Sequence, residues 1–174
     1  MIYSFLQNGD SAVTVQFKNE ISEEVNRRVT GLCNRIEAKH IDGIVELVPT
    51  FASLTVFYDC TIISSKKLKK KVEALINGKE GDVKSTAKVW NIPVCYDDEF
   101  ALDMKNVCSH TTLEREEVIK LHTSKPYLIY MLGFLPGFAY LGGMDERLFT
   151  PRLKTPRLEI FEGAVGIGGE QTGI

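Results

Sequence analysis

Residues 132–157 constrain this chain more than any other stretch. They read Leu132-Gly133-Phe134-Leu135-Pro136-Gly137-Phe138-Ala139-Tyr140-Leu141-Gly142-Gly143, then Met144-Asp145-Glu146-Arg147-Leu148-Phe149-Thr150-Pro151-Arg152-Leu153-Lys154-Thr155-Pro156-Arg157. Glycine and proline recur too often for a helix interior, where they cost about 1 and about 3 kcal/mol relative to alanine. Phe134, Phe138, Tyr140 and Leu141 are too apolar for a loose surface loop. Glycine permits positive φ and close backbone approach, while proline fixes φ and removes a donor. The stretch therefore predicts a stiff loop folded over an apolar floor. Arg152 and Arg157 each follow a proline, so each guanidinium is held ready for bidentate contact with a carboxylate or phosphate.

The rest of the chain sets the frame. Its 174 residues suffice for one ordinary domain or two small ones. With 44% hydrophobic and 25% charged residues the composition is that of a folded globular protein. A net charge of −2 argues against nucleic acid as a partner. No apolar run approaches the ~18–20 residues of a membrane helix, and the amino terminus lacks the pattern of a signal peptide, so a cytoplasmic location is expected. Cys33, Cys60, Cys95 and Cys108 are widely spaced, which predicts buried free thiols rather than a zinc site or disulfides.

Alternation of Val13, Val15 and Phe17 predicts a strand after the turn Asn8-Gly9-Asp10, with another before it. Val25, Val29, Leu32 and Ile36 recur at helical spacing behind Ser22 as N-cap. Residues 43–48 and 52–58 read as two more strands. Leu68, Val72, Leu75 and Ile76 mark a second helix, capped by Ser64 or Ser65 and stopped at Gly78. The lysines at 66, 67, 69, 70 and 71 form its solvated face. This strand–strand–helix–strand–strand–helix order predicts a small α/β sandwich over residues 1–83. Residues 77–84 are polar and glycine-bearing, as a linker is.

Beyond it, residues 87–96 alternate as a strand whose Pro93 places it at an edge. Asp97, Asp98 and Glu99 lack the spacing of a calcium loop and read as a turn. Thr111 with Glu114 fits a capping box for a helix ending at His122. Residues 127–131 and 158–161 read as strands. Nine of the 14 glycines lie from Gly133 to Gly173. Gly166-Ile167-Gly168-Gly169 fits neither phosphate-loop pattern, and a tight strand or bulge is the expected use of these glycines.

Three scattered histidines make no metal site. His122, at a helix end, either caps that end or moves a proton. Arg152 and Arg157 either pair with Glu159, Glu162 or Asp145, or bind a ligand. Tyr140, Gln171 and Thr172 are polar groups on the same glycine-rich surface, with Pro136 and Gly137 at its loop, and all are counted as ligand contacts.

The motif 133–143, with Arg147-Leu148-Phe149-Thr150-Pro151-Arg152 and Thr155-Pro156-Arg157, resembles the allophanate hydrolase subunit 1 family. The resemblance extends to Gly9-Asp10-Ser11-Ala12, to Pro93-Val94-Cys95-Tyr96, to Leu121-His122-Thr123 and to residues 163–173. That family includes the B-type subunit of the ATP-dependent 5-oxoprolinase and KipI-type inhibitors of a sporulation histidine kinase. The resemblance implies an α+β protein of two domains, 1–83 as an α/β sandwich and 84–174 as a cyclophilin-like β-barrel. It implies C- and A-type companion subunits and an activity of the complex, opening 5-oxo-L-proline to L-glutamate with ATP and Mg. The isolated chain is expected to be inactive. On that reading Arg152 and Arg157 hold the substrate carboxylate or the transferred phosphate, and His122 is the catalytic proton carrier. The rival readings are a kinase inhibitor without chemistry and a carboxyltransferase-like subunit of urea or allophanate metabolism. No biotin-attachment motif is visible. Family members continue past Ile174 into further barrel strands, so the barrel is expected to be incomplete here.

Overall fold

The structure, a computed structural model, describes residues 3–77 and 88–174. The chain divides into two compact units, Met1–Ser85 and Thr86–Ile174. The linker expected at 77–84 lies, beyond Asn77, outside the described residues, as does Gly78.

The first unit carries β1 (Ser4–Asn8), β2 (Ala12–Gln16), α1 (Glu23–Lys39), β3 (Ile44–Pro49), β4 (Ser53–Tyr58) and α2 (Ser65–Ile76). The sheet is antiparallel throughout, in the order β1-β2-β4-β3. Val13, Val15, Leu54 and Val56 of the central strands meet Val29, Leu32 and Ile36 of α1 and Leu68 and Val72 of α2 in one core. Full burial of such a side chain contributes about 1.5–3 kcal/mol. Ser64 caps α2 by accepting from the Lys67 amide. Ser22 stands at the α1 N-cap with extended backbone but makes no capping bond.

The second unit carries α3 (Met104–Thr111), α4 (Arg115–His122), β5 (Leu128–Leu132), β6 (Ala139–Gly142), a short 3-10 turn (Glu146–Leu148), β7 (Gly166–Gly168) and β8 (Gln171–Gly173). Its sheet is antiparallel in the order β5-β6-β8-β7. Val118 and Leu121 of α4 pack with Met144 and Leu148 in a small core.

The sheet stays open among the described residues, without barrel closure. Several expectations of local structure fail in this unit. Residues 88–96 and 158–161 form no strands. A strand exists only where a neighbour takes its backbone hydrogen bonds, and nothing described here pairs with either segment. The capping box at Thr111 is absent, because Thr111 ends α3 and its hydroxyl donates to the Val107 carbonyl. Glu114 stands at the α4 N-cap instead. Of the four thiols only Cys33 is buried, while Cys60 and Cys95 are exposed.

Candidate functional site

The loop between β5 and β6 is two turns in succession. The Leu135 amide donates to the Gly133 carbonyl at 2.7 Å. Phe134 between them has φ 63°, so this is the strained, positive-φ form of a three-residue turn. The Phe138 amide then donates to the Leu135 carbonyl at 3.1 Å, around Pro136 and Gly137. Gly137 has φ 87°, and proline then glycine at the centre is the requirement of a type II turn. Pro136 and Gly137 thus shape backbone. The loop does not fold over an apolar floor as expected: Phe134 is 82% exposed and Leu135 60%. Beneath them Phe138 meets Phe134 and Tyr140 edge-on, at 5.8 and 4.9 Å.

The glycines 166–173 make the β7–β8 hairpin, turned at Gly169 with φ 66°. Gly168 pairs with Gln171, Gly166 with Gly173, and Tyr140 of β6 with Gly173. Residues directly opposite share a face, and alternate residues share it too. Tyr140 and Gln171 therefore stand on the face that Gly166 and Gly168 leave bare. Arg152 lies across it: a Cβ on Gly168 would be 3.2 Å from Arg152 Nε. Among the described residues Arg152 has no carboxylate partner. Gln171 Nε2 is buried without a hydrogen-bond partner there. An unpaired guanidinium and an orphaned amide donor on one glycine-lined face suit an anion, since buried donors are ordinarily satisfied.

The structure separates the two arginines. Arg157 forms a two-pronged ion pair with Asp103, Nη2 lying 2.7 Å from Oδ1. That pairing holds the Asp103 carboxyl below the usual carboxylate range. Arg157 is therefore corrected from ligand contact to structural ion pair. Thr172 is corrected as well: it projects to the opposite face from Gln171 and is buried.

There it meets His122, also buried. His122 Nε2 is 3.2 Å from Thr172 Oγ1, and Nδ1 is 2.6 Å from the Tyr96 hydroxyl. Burial pushes the His122 pKa below its ordinary value. Tyr127 donates to the His122 carbonyl at 2.7 Å, and its own pKa is pushed up to about 12, chiefly by burial. Both ring nitrogens are engaged inside the protein, so the ring has no free nitrogen for a substrate. Sequence reasoning missed Tyr96, Asp103 and Tyr127. Tyr96 left one trace, its place in the Pro93–Tyr96 motif; for the others no local signal exists.

A cavity of about 370 Å³ lies beside α4 and the 3-10 turn, lined by Glu116, Glu117, Lys120, Leu121 and Arg147. Arg147 is held there by Asp145, whose carboxyl it brings down to about 2. The predicted ligand residues line neither this cavity nor a second of about 310 Å³ at Lys39–Asp42 and Lys71. Among the described residues no three His, Cys, Asp or Glu side chains are grouped to hold a metal ion, and no helix is long and apolar enough to cross a membrane.

Comparison with known proteins shows the family. The family described as "Carboxyltransferase domain, subdomain C and D" matches residues 3–174. The chain belongs to that family. Within it, the chain is 42% identical to the B-type 5-oxoprolinase subunit of Bacillus subtilis (strain 168), over 99% of this chain and 76% of that protein. The solved structure of TTHA0988 superposes with a TM-score of 0.78 at 32% identity, covering 94% of this chain and 31% of that one. The Kluyveromyces lactis urea carboxylase superposes at 0.79 with 21% identity, over 99% of this chain and 17% of that one, a likeness of fold. This carboxyltransferase-domain chain thus spans three quarters of the first relative and about a third of the first structure.

Proposed function

We propose that this chain is the B-type subunit of a cytoplasmic ATP-dependent 5-oxoprolinase, acting with companion subunits to open 5-oxo-L-proline to L-glutamate. The observation that carries the reading is the 42% identity with a protein of that name over nearly the whole chain. The open second sheet suits part of a cyclophilin-like barrel, closed by strands that pair with β5 or β7.

The site fits the substrate. 5-Oxo-L-proline offers a carboxylate and a lactam amide. Among the described residues Arg152 supplies a charge with no carboxylate partner and Gln171 an amide donor with no partner, so the pair can hold the carboxylate on the glycine-lined face. Fixing the carboxylate orients the lactam carbonyl, which ATP activates when bound by the complex. ATP and Mg would be held in the complex with the companion subunits.

The test is 5-oxoproline-dependent ATP hydrolysis by the reconstituted complex. Arg152→Ala should raise the KM for 5-oxo-L-proline at least tenfold while the complex still assembles, and Arg157→Ala should leave it within twofold. An unchanged KM for Arg152→Ala removes the site.

A further inference from the structure

Tyr96, His122 and Thr172 reach one another from three places: the extended segment before α3, the last residue of α4, and the centre of β8. The protons in this chain of contacts can be placed. Thr172 Oγ1 also lies 2.9 Å from the Gly166 carbonyl oxygen. A carbonyl only accepts and a hydroxyl has one proton, so that proton goes to Gly166. The Thr172 oxygen must then accept from His122, which fixes the proton on Nε2. In a neutral imidazole the other nitrogen is an acceptor, so Tyr96 donates to Nδ1.

We infer that Tyr96, His122 and Thr172 form a one-directional hydrogen-bond lock that sets the position of the β7–β8 hairpin, with His122 and Tyr96 as positioning residues. The lock adds to the backbone ties of a weak element. The strands of the hairpin are three residues each, β8 meets β6 through two residue pairs extended by the Ala139–Ile174 backbone pair, Gly169 at the tip bridges Thr150, and of the eight residues from 166 to 173 only Ile167 is apolar. A short hairpin of this kind is marginal by itself. The lock reaches the hairpin at the Thr172 hydroxyl, which in turn bonds across to the Gly166 carbonyl of β7. Its other end is clamped as well. Arg115, at the start of α4, donates to the Tyr96 carbonyl and pairs with Asp98. Segment 96–98 and the hairpin are therefore both tied to the same helix, one at each end.

The titratable groups that face the ring are the phenols of Tyr96 and Tyr127, with exposed Lys120 two residues back on α4. The contacts fix the proton on Nε2; none of these groups is an anion that would favour an imidazolium as well, so the ring is assigned neutral and Nδ1 the acceptor. Gln171 and Gly168 ride on the same hairpin, so the lock also sets the spacing of the anion face. That consequence rests on the reading of Arg152 and Gln171 above; the lock does not.

The decisive measurement needs no variant. Long-range proton–nitrogen correlation on the ¹⁵N-labelled full chain at pH 7.5 should show His122 neutral with its proton on Nε2; an Nδ1-protonated or charged ring overturns the lock. Amide exchange of residues 166–173 gives a second reading. His122→Asn cannot reach Thr172 from the Nε2 position and should speed exchange at least tenfold. His122→Gln places an amide donor near that position and should restore most of the protection. Equal exchange in both variants also overturns the lock. If the tautomer and exchange come out as expected while Arg152→Ala leaves 5-oxo-L-proline affinity unchanged, the anion site fails and the lock stands.

Discussion

Gly142 shows how narrowly single positions are set in the second unit. A Cβ there would lie 2.0 Å from the ring of buried Tyr130, far inside any contact distance. Gly142→Ala must displace that ring, and overpacking of this kind costs about 1–3 kcal/mol. Urea unfolding should show a loss at the upper end of that range. Gly137→Ala meets open space and is opposed only by φ 87°, so it should lose about 1–2 kcal/mol. His122 provides a pH test at the same scale. Its folded pKa lies below the ordinary 6.5, so on acidification the unfolded chain takes up the proton first. The stability that the neutral ring contributes is complete above about pH 6.5. It falls as pH drops from there toward the folded pKa. Unfolding followed between pH 8 and 5 should show that fall, and His122→Gln should remove its histidine component. These features are not legible in the sequence. The proline before Arg152 and the proline before Arg157 look alike, and only the approach of Asp103 from 54 residues away tells the two apart.

At the scale of elements, legibility follows the range of the forces. α1 is readable because Val25, Val29, Leu32 and Ile36 fall on one face by helical spacing alone, and that face is buried. The β1–β2 hairpin is readable from Gly9 and the alternation after it, and Gly9 has φ 64°. Residues 158–161 have the same apolar character yet form no strand, because pairing is decided by what lies alongside. Leu158, Ile160 and Phe161 are exposed as a result. The hairpin of glycines is legible as a tight strand, but its grip by His122 is not, since Tyr96 and Thr172 lie 26 and 50 residues from the histidine. The Asp103–Arg157 ion pair joins α3 to the exposed segment 151–162. Both partners are more than a third exposed, so solvent screening leaves the pair little to contribute to stability. Arg157→Ala and Asp103→Ala should each shift the urea midpoint only slightly, and a large shift in either would contradict this description.

At the scale of the molecule the two units are unequal. Among the described residues the first unit buries eighteen apolar side chains and the second six. Large exposed hydrophobic residues run the other way, four in the first unit and fourteen in the second. Exposed apolar surface on this scale marks an interaction surface in a folded protein. β5 adds to it, because the edge strand presents Leu128, Ile129 and Leu132 to solvent beside the Phe134 and Leu135 tip. Free backbone groups flanked by apolar side chains form a template for another strand. The subunit role proposed for this chain supplies a reason for that exposure. A partner that binds only the folded state stabilises it by RT ln(1 + [L]/Kd), about 2.7 kcal/mol at a hundredfold excess over Kd. Amide exchange read separately on 3–77 and 88–174 should therefore give two levels of protection in the chain alone, the second unit exchanging faster. Adding the companion subunit should raise protection in the second unit, most of all along β5, and leave the core of the first unchanged. Equal protection of the two units in the free chain would show that the second unit's stability does not follow its buried apolar surface. Protection gained only in the first unit would move the subunit contact away from β5 and the Phe134 tip.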